Sequence, residues 1–328
     1  MSLSEVPLTR RILLAAGAGL LICRNARAQE GPGNARALKV LVGYPAGGGG
    51  DTLVRAMSRR LAQSLQRPVI VDNKPGAGGT LAASALASSP ADGSVVYMTD
   101  SSILVAPAVY EKLGYEPEAL TPVLGIGQLA YCLVVHPSVP ARNLAELVSL
   151  LKKSPGKYSY ASPGVGNMAH LAAEELKRAA GVEMLHIPYK GGAPAIADLV
   201  GGQVPICMIS LPPALAQAQA GKLRILATTT LKRWESFLDL PTISETVPGF
   251  EAVTNMFIVA PPKTPASAVE RLAVGFRTAL NDAEIKQTYL AQGATVDVKD
   301  AELLGRQMDA ELKRWPVFAR SIGLKPGV

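Results

Sequence analysis

Two segments of this chain repeat the same order of local structures, and this repetition constrains the fold strongly. Each segment consists of a strand-like run, a Pro, a glycine-rich loop, a helical pattern, a second strand-like run and a Lys–Gly turn. The loops follow Pro45 and Pro163, and the turns are Lys74–Gly76 and Lys190–Gly192. Because each copy reads as one βαβ unit and the copies lie about a domain apart, they predict two similar α/β lobes rather than a solenoid.

Strand-like and helical patterns alternate along most of the chain. The strand candidates are Leu38–Tyr44, Arg67–Asn73, Ser94–Asp100, Tyr131–Pro137, Lys157–Pro163, Glu183–Tyr189, Val204–Ile209, Leu223–Thr230 and Asn255–Pro262. Apolar stripes at helical spacing are Leu53, Val54, Met57, Leu61 and Leu65; Met168, Leu171, Ala172, Leu176 and Ala179; and Val269, Leu272, Ala273 and Phe276 followed by Leu303, Met308, Leu312 and Trp315. This alternation predicts parallel sheets with right-handed crossovers.

Two long apolar runs, Thr121–Pro137 and Glu251–Pro262, are expected to carry the chain between the lobes. We therefore predict one lobe from residues 29–126 and 254–328 and a second lobe from residues 127–253. The helical C-terminal stretch is expected to pack back on the first lobe.

The first 28 residues are typical of a secretory signal rather than of folded structure. Two arginines precede the apolar run Ile12–Ile22, and a small-x-small end predicts cleavage before Gln29. The run is too short for a membrane span. The segment also resembles a twin-arginine signal, although two arginines serve the general export route equally well. Cys23 follows a bulky Ile, which argues against a lipid anchor.

Composition excludes some classes of function. The full chain has a formal net charge of +7, and loss of residues 1–28, with four Arg and one Glu, lowers it to +4. Without a large Lys/Arg cluster, nothing indicates nucleic-acid binding. Aromatics make up only 5% of the residues while hydrophobic residues make up 48%, which predicts a core of Ala, Val, Leu and Ile.

The four glycines Gly47–Gly50 stand where a predicted strand ends and a helix begins. In an open parallel sheet ligands bind beyond this end of the strands, and a helix N-terminus offers free N–H groups to an anion. Glycines allow the backbone to approach the ligand closely. Since a carboxylate side chain would repel an anion, Asp51 or Thr52 is expected to act as the N-cap of the helix.

A nucleotide is the alternative ligand. The Gly-Lys-Ser/Thr sequence that completes a P-loop is absent after Gly50, but Gly164–Ala169 fits G-x-G-x-x-A between a strand and a helix. The acidic residue expected at the end of the next strand is missing, because that strand ends in Tyr189-Lys190. An exported nucleotide-binding α/β enzyme is thus the second hypothesis.

Other catalytic constellations are not found. The histidines His136, His170 and His186 have no metal-ligand spacing, and no G-x-S-x-G motif occurs. His186 is expected to be structural, whereas His170 is expected either to donate to an anion beside the second glycine loop or to be exposed to solvent. Cys132 and Cys207 lie in strand-like runs and are interpreted as small buried hydrophobes, although export would permit a disulfide.

The loops and several other motifs resemble those of the tripartite tricarboxylate transporter receptors, known as Bug or TctC-type receptors. The matching segments, in the family's order, are Tyr44–Asp51, Val71–Thr80, Tyr160–Glu174, Ile187–Val204, Gly221–Thr229 and Arg314–Pro326. They are spread over essentially the whole chain after residue 28.

This resemblance implies two Rossmann-like lobes around a ligand cleft, in the manner of a type II-like periplasmic binding protein. It also implies a monomeric periplasmic protein that closes on a small organic carboxylate or dicarboxylate, without cofactor, metal or catalysis. The implied partners are the membrane subunits of a transporter, or a sensor. By position, the implied ligand contacts are Tyr44, Ala46, Gly48, Asp51, Thr52, Thr80, Ser101, Ser162, Gly164, Val165, Gly166, Asn167, His170 and Tyr189.

The sequence departs from the family pattern at two places. Asn255-Met256-Phe257 replaces a Trp-containing segment, and Ile209 stands where an Asp often occurs. Because of these departures, the sequence does not determine whether the site has an aromatic wall and a polar contact at these positions. It therefore does not determine the identity of the acid.

Overall fold

The computed structural model describes residues 36–324 and 327. The predicted signal segment and its cleavage site lie outside these residues. The strands are β1 (Leu38–Val42), β2 (Val69–Asn73), β3 (Val95–Asp100), β4 (Thr121–Val135), β5 (Ser159–Ser162), β6 (Leu185–Pro188), β7 (Ile206–Ser210), β8 (Arg224–Thr228) and β9 (Val253–Ala260). Every strand-like run of the sequence therefore contains a strand.

The helices fill the connections between most of these strands. They are α1 (Gly49–Leu65), α2 (Thr80–Ala87), the single turn α3 (Ser102–Val105), α4 (Leu144–Lys153), α5 (Met168–Ala180), α6 (Gly192–Val200), α7 (Leu211–Gln219), α8 (Ala266–Leu280), α9 (Ala283–Ala291) and α10 (Ala301–Ser321). Among the described residues, no helix is long and apolar enough to cross a membrane.

The strands hydrogen-bond in the order β2-β1-β3-β9-β4-β7-β5-β6, and β8 also pairs with β4. β1 lies parallel to β2 and β3, and β5 lies parallel to β6 and β7, as predicted. The prediction of wholly parallel sheets is wrong, because β9 is antiparallel to β3 and β4, and β4 is antiparallel to β7 and β8. Antiparallel pairs do not require the βαβ crossover on which the prediction was based.

Strand β4 joins the two halves of the sheet. Its residues Thr121–Ala130 pair with β9, whereas Tyr131–Val135 pair with β7. The described residues from Ala37 onward belong to one compact unit, and the division into two lobes stays a prediction.

The helical stripes of the sequence pack against this sheet with small shifts. Leu53, Val54, Met57 and Leu61 of α1 are buried, as predicted. In α5 the predicted Ala179 is exposed and Ala173 is buried in its place. The N-cap of α5 is Asn167, whose side chain accepts the Ala169 N–H, and the helix ends at Gly181 in the left-handed conformation.

The C-terminal helices pack on the N-terminal part of the chain, as predicted. Helix α8 lies along α1, and α10 packs on β4 and α3. Leu303 is exposed and Leu304 is buried, so the apolar stripe of α10 begins one residue later than predicted.

Cys132 and Cys207 are both buried and both free, which confirms the interpretation as small apolar residues. Burial raises the pKa of each thiol above its ordinary value, so both thiols stay protonated and unreactive.

Candidate ligand-binding site

The first glycine loop leads directly into α1. Gly48 is the N-cap and the helix begins at Gly49, so the expectation that Asp51 or Thr52 caps the helix is wrong. Glycine is tolerated at this position because it needs no side-chain bond to adopt the extended N-cap conformation. The hydroxyl of Thr52 donates to the Gly48 carbonyl at 3.0 Å.

The carboxylate of Asp51 is turned back on its own loop. It accepts the Gly47 N–H at 2.9 Å, the Arg55 guanidinium at 2.9 Å and the Asn73 amide at 2.9 Å. Burial opposes the charged form of Asp51, but these hydrogen bonds outweigh it and the net effect lowers the pKa of the carboxyl. Asp51 therefore fixes the loop as an ionised side chain.

The N–H groups of Gly49 and Gly50 remain available at the start of α1. Neither has a hydrogen-bond partner among residues 36–324 and 327. They belong to the first turn, where N–H groups carry the positive end of the helix dipole. This end of α1 therefore has the character of an anion site.

A small pocket of about 30 Å³ lies at this helix end. Its lining comes from strand ends and from the loops that follow them, and consists of Tyr44, Gly48, Gly49, Gly50, Asp100, Leu129, Tyr131, Pro163, Asn167, Gly192 and Ser210. Gly192 is the first residue of α6, and its N–H has no partner within the described residues. Two helix N-termini thus contribute to the same pocket.

The second predicted loop uses its N–H groups internally. The Gly164 N–H donates to the Ser162 hydroxyl, the Gly166 N–H donates to Nδ1 of His170, and the Met168 N–H donates to the Ser102 hydroxyl. In this conformation the loop is not an open N–H cradle like that of Gly49 and Gly50. This loop still reaches the pocket through Pro163 and Asn167.

The loops around the pocket are in direct contact with each other. The Asn167 amide donates to the Tyr44 hydroxyl at 2.6 Å, and the Tyr110 hydroxyl donates to the Val165 carbonyl at 3.1 Å. A Cβ added at Gly191 would lie 2.3 Å from Cδ of Pro45. The pocket has room for only one or two water molecules, so a larger ligand requires these loops to separate.

The predicted contacts occupy different places relative to this pocket. Tyr44, Gly48 and Asn167 line it, Ser162 ends β5, and Gly164, Val165 and Gly166 belong to the adjoining loop. Ala46 is exposed, the Ser101 hydroxyl accepts the Asn255 N–H, and the Tyr189 hydroxyl donates to Asp198. Asp51, Thr52, Thr80 and His170 also lie outside the lining.

His170 and His186 form a buried stack behind the second loop. Their rings lie 4.0 Å apart at 11°, and His186 also stacks on Tyr160. His170 is only 3% exposed, so the expectation of solvent exposure is wrong. Burial, together with nearby Lys177, lowers the pKa of His170 to about 4. The neutral ring accepts the Gly166 N–H and so holds the loop in place.

His186 is structural, as predicted. Its Nε2 lies 2.7 Å from the Ser162 hydroxyl, and burial, followed by the proximity of His170, lowers its pKa to about 3. The two stacked histidines therefore hold the second glycine loop through Ser162 and Gly166.

Sequence reasoning missed Asp100, Tyr131 and Ser210. Asp100 ends β3 and Ser210 ends β7, and a helix follows each of them closely. The rule that directed attention to the glycine loops, namely that ligands bind where a strand ends and a helix begins, also applies to these two residues. Ser210 lies against Gly49, where an added Cβ would lie 2.5 Å from its hydroxyl oxygen.

The residues at the two departures from the family pattern do not line this pocket. Met256 and Phe257 are buried in the core, and Ile209 packs against Gly192. Asn255 donates to Glu311 and lines a larger cavity of about 280 Å³ between α5, the start of β9 and α10.

The sequence profile described as "Tripartite tricarboxylate transporter family receptor", TctC, matches residues 53–324. The chain belongs to this family. Among solved structures, the periplasmic binding protein BugD is 30% identical with a TM-score of 0.85, over 89% of this chain and 99% of BugD. Rpa4515 of R. palustris with adipate is 32% identical with a TM-score of 0.86, over 90% of this chain and 99% of that protein.

MatC from Rhodopseudomonas palustris with bound malate is similar as well, at 27% identity and a TM-score of 0.80 over 87% of this chain and 99% of MatC. These similarities confirm the α/β periplasmic-binding-protein fold and the resemblance to Bug receptors. TctC receptors are solute-binding proteins and not enzymes, which excludes the nucleotide-dependent enzyme.

Proposed function

We propose that this TctC-family receptor captures a small organic carboxylate or dicarboxylate at the N-terminus of α1. The observation that carries the proposal is the pair of N–H groups on Gly49 and Gly50, which line a pocket and have no partner among the described residues. Adipate in Rpa4515 and malate in MatC support the same chemical class of ligand.

The proposed mechanism relies on backbone groups rather than cations. No Lys, Arg or His is among the described residues that line the pocket. A carboxylate at Gly49 and Gly50 would supply the missing hydrogen-bond partners of both N–H groups and interact with the helix dipole. Ser210, whose hydroxyl oxygen lies against Gly49, and Tyr131 line the same pocket and would add contacts from its wall.

Cleft closure is the second part of the proposal. The loops of Tyr44 and Asn167 come from the two predicted lobes and already touch each other here. A ligand that contacts both loops stabilises a closed arrangement, with these loops slightly further apart than here, relative to an open one. We propose that residues 29–126 with 254–328 and residues 127–253 move as the two bodies.

The fourteen positions implied by the family remain proposed contacts, and Gly49, Gly50, Tyr131 and Ser210 are added to them on the basis of the pocket lining. The proposed setting is a monomeric protein, cleaved before Gln29, that delivers its ligand to membrane subunits of a tripartite tricarboxylate-type transporter or to a sensor.

Gly50 offers a direct test. A Cβ at Gly50 would have its nearest neighbour, Cγ1 of Val42, 4.0 Å away, so the fold has room for a side chain at this pocket-lining position. Gly50→Val should reduce carboxylate affinity at least tenfold while the protein stays folded. Gly305→Val is the matched control, because this helical glycine of α10 does not line the pocket and its added Cβ would lie 3.7 Å from Pro122. The control should bind normally.

The assay is thermal stabilisation and calorimetry with a panel of mono- and dicarboxylates, with NAD as the negative ligand. A saturating carboxylate at about 100 times its Kd should add about 2.7 kcal/mol of stability. If no carboxylate stabilises the protein, or if Gly50→Val binds as tightly as the wild type, the proposal is wrong.

A further inference from the structure

Asp100 places a carboxylate inside the proposed carboxylate pocket. It is the last residue of β3, is about nine-tenths buried and lines the pocket together with Tyr44 and Tyr131. Its Oδ1 accepts the Ser102 N–H at 2.8 Å, and the Ser102 hydroxyl lies beside the same carboxyl group. No cationic side chain of residues 36–324 or 327 pairs with it.

The structural role of Asp100 does not require a charge. Its bond to Ser102 resembles an N-cap bond, which Asn or Ser would also provide without a buried carboxylate. Burying an unpaired carboxylate costs free energy, and buried Glu311 lies near enough to add repulsion. Burial raises the pKa of Asp100 and the repulsion from Glu311 adds to the shift, while Ser102 opposes it.

A ligand with a hydrogen-bond donor would explain why the pocket contains the carboxylate of Asp100. With the Asp100 carboxyl ionised, the pocket is polarised: the N–H groups of Gly49 and Gly50 contribute positive charge and Asp100 contributes negative charge. A ligand carboxylate at the glycines leaves the remainder of a small molecule facing Asp100. A second carboxylate there would be repelled, whereas a hydroxyl or ammonium group would donate to the free acceptor positions of the carboxyl group.

We propose that Asp100 is a specificity-determining residue, which selects acids that carry a hydroxyl or ammonium group next to the bound carboxylate over acids that lack one. This inference rests on the proposed function, and it narrows the ligand class to hydroxy acids or amino acids.

The test compares acids of one carbon skeleton at pH 8 by calorimetry. The sets are propanoate, lactate and alanine; succinate, malate and aspartate; and glutarate, 2-hydroxyglutarate and glutamate. In the set that binds most tightly, the hydroxy or amino acid should bind wild type at least tenfold more tightly than the unsubstituted acid. Asp100→Asn should reduce this preference at least tenfold.

Asp297→Asn is the matched control, because Asp297 is an exposed carboxylate that does not line this pocket, and it should keep the wild-type preference. The comparison of ligands on the wild type stands even if Asp100→Asn fails to fold. If unsubstituted acids bind as tightly as their substituted partners, the role of Asp100 is wrong while the receptor function stands. If no acid in any set binds, both fail.

Discussion

His170 should make the stability of this protein fall steeply in mild acid. Its pKa is lowered from 6.5 to about 4 in the folded state, so the unfolded chain binds more protons between these values. The contribution of neutral His170 to the free energy of unfolding is therefore fully present above pH 6.5 and is lost as the pH falls towards 4. The shift corresponds to about 3 kcal/mol, with a slope of at most about 1.4 kcal/mol per pH unit from this group.

The structural cost of protonation is specific. Protonated Nδ1 can no longer accept the Gly166 N–H, and the charge would lie 4.0 Å from the His186 ring. His170→Asn removes the titration while its Oδ1 can replace Nδ1 as the acceptor.

Urea unfolding of the wild type and His170→Asn at several values between pH 7.5 and pH 4.5 measures the effect. The variant should be less stable than wild type at pH 7.5, because it loses the ring stack, but its stability should fall less with pH. Carboxyl groups titrate in both proteins and cancel in the difference between the two curves, which then reports His170 together with its effect on the pKa of His186. Parallel curves would refute the argument that burial holds His170 neutral.

Two further substitutions test the packing of the helices. Gly275→Ala should destabilise the protein by about 1–3 kcal/mol, because the new Cβ would lie 2.2 Å from Leu65. Gly305→Ala should not, because its new Cβ would lie 3.7 Å from its nearest neighbour. Equal unfolding free energies for the two variants would contradict this. Trp315→Phe removes one of the hydrogen bonds to buried Glu311 and should cost about 1–3 kcal/mol in the same urea assay, and an unchanged midpoint would show that this bond contributes nothing.

The sequence was sufficient to locate the strands and the glycine loop that leads into α1. The strands could be predicted because each is a short apolar run bounded by Pro, Gly or polar residues. The antiparallel pairing of β4 with β9 could not, because it joins segments more than a hundred residues apart and depends on which edges meet in space. Local periodicity carries no information about that choice.

The candidate site shows the same limit at the level of single residues. The N–H groups at the start of α1 follow from local rules, but the Asp51 carboxylate is engaged by Arg55 and Asn73 and does not cap the helix, and Asn73 lies on a neighbouring strand. Burial of His170 depends on His186 from β6. Such side-chain partners are set by tertiary packing.

The glycines of the first loop are required for different physical reasons, so their roles in folding and in binding can be tested separately. Gly47 has φ +82°, where a side chain would be strained, and Gly49 approaches Ser210 too closely for a Cβ. Gly50 has neither restriction, since its φ lies outside the left-handed region and its Cβ would have room. The fold therefore accounts for glycine at 47 and 49 but not at 50, which lines the pocket and has a free N–H. That pocket is where we propose the carboxylate binds, and Gly50→Val therefore separates loss of binding from loss of folding.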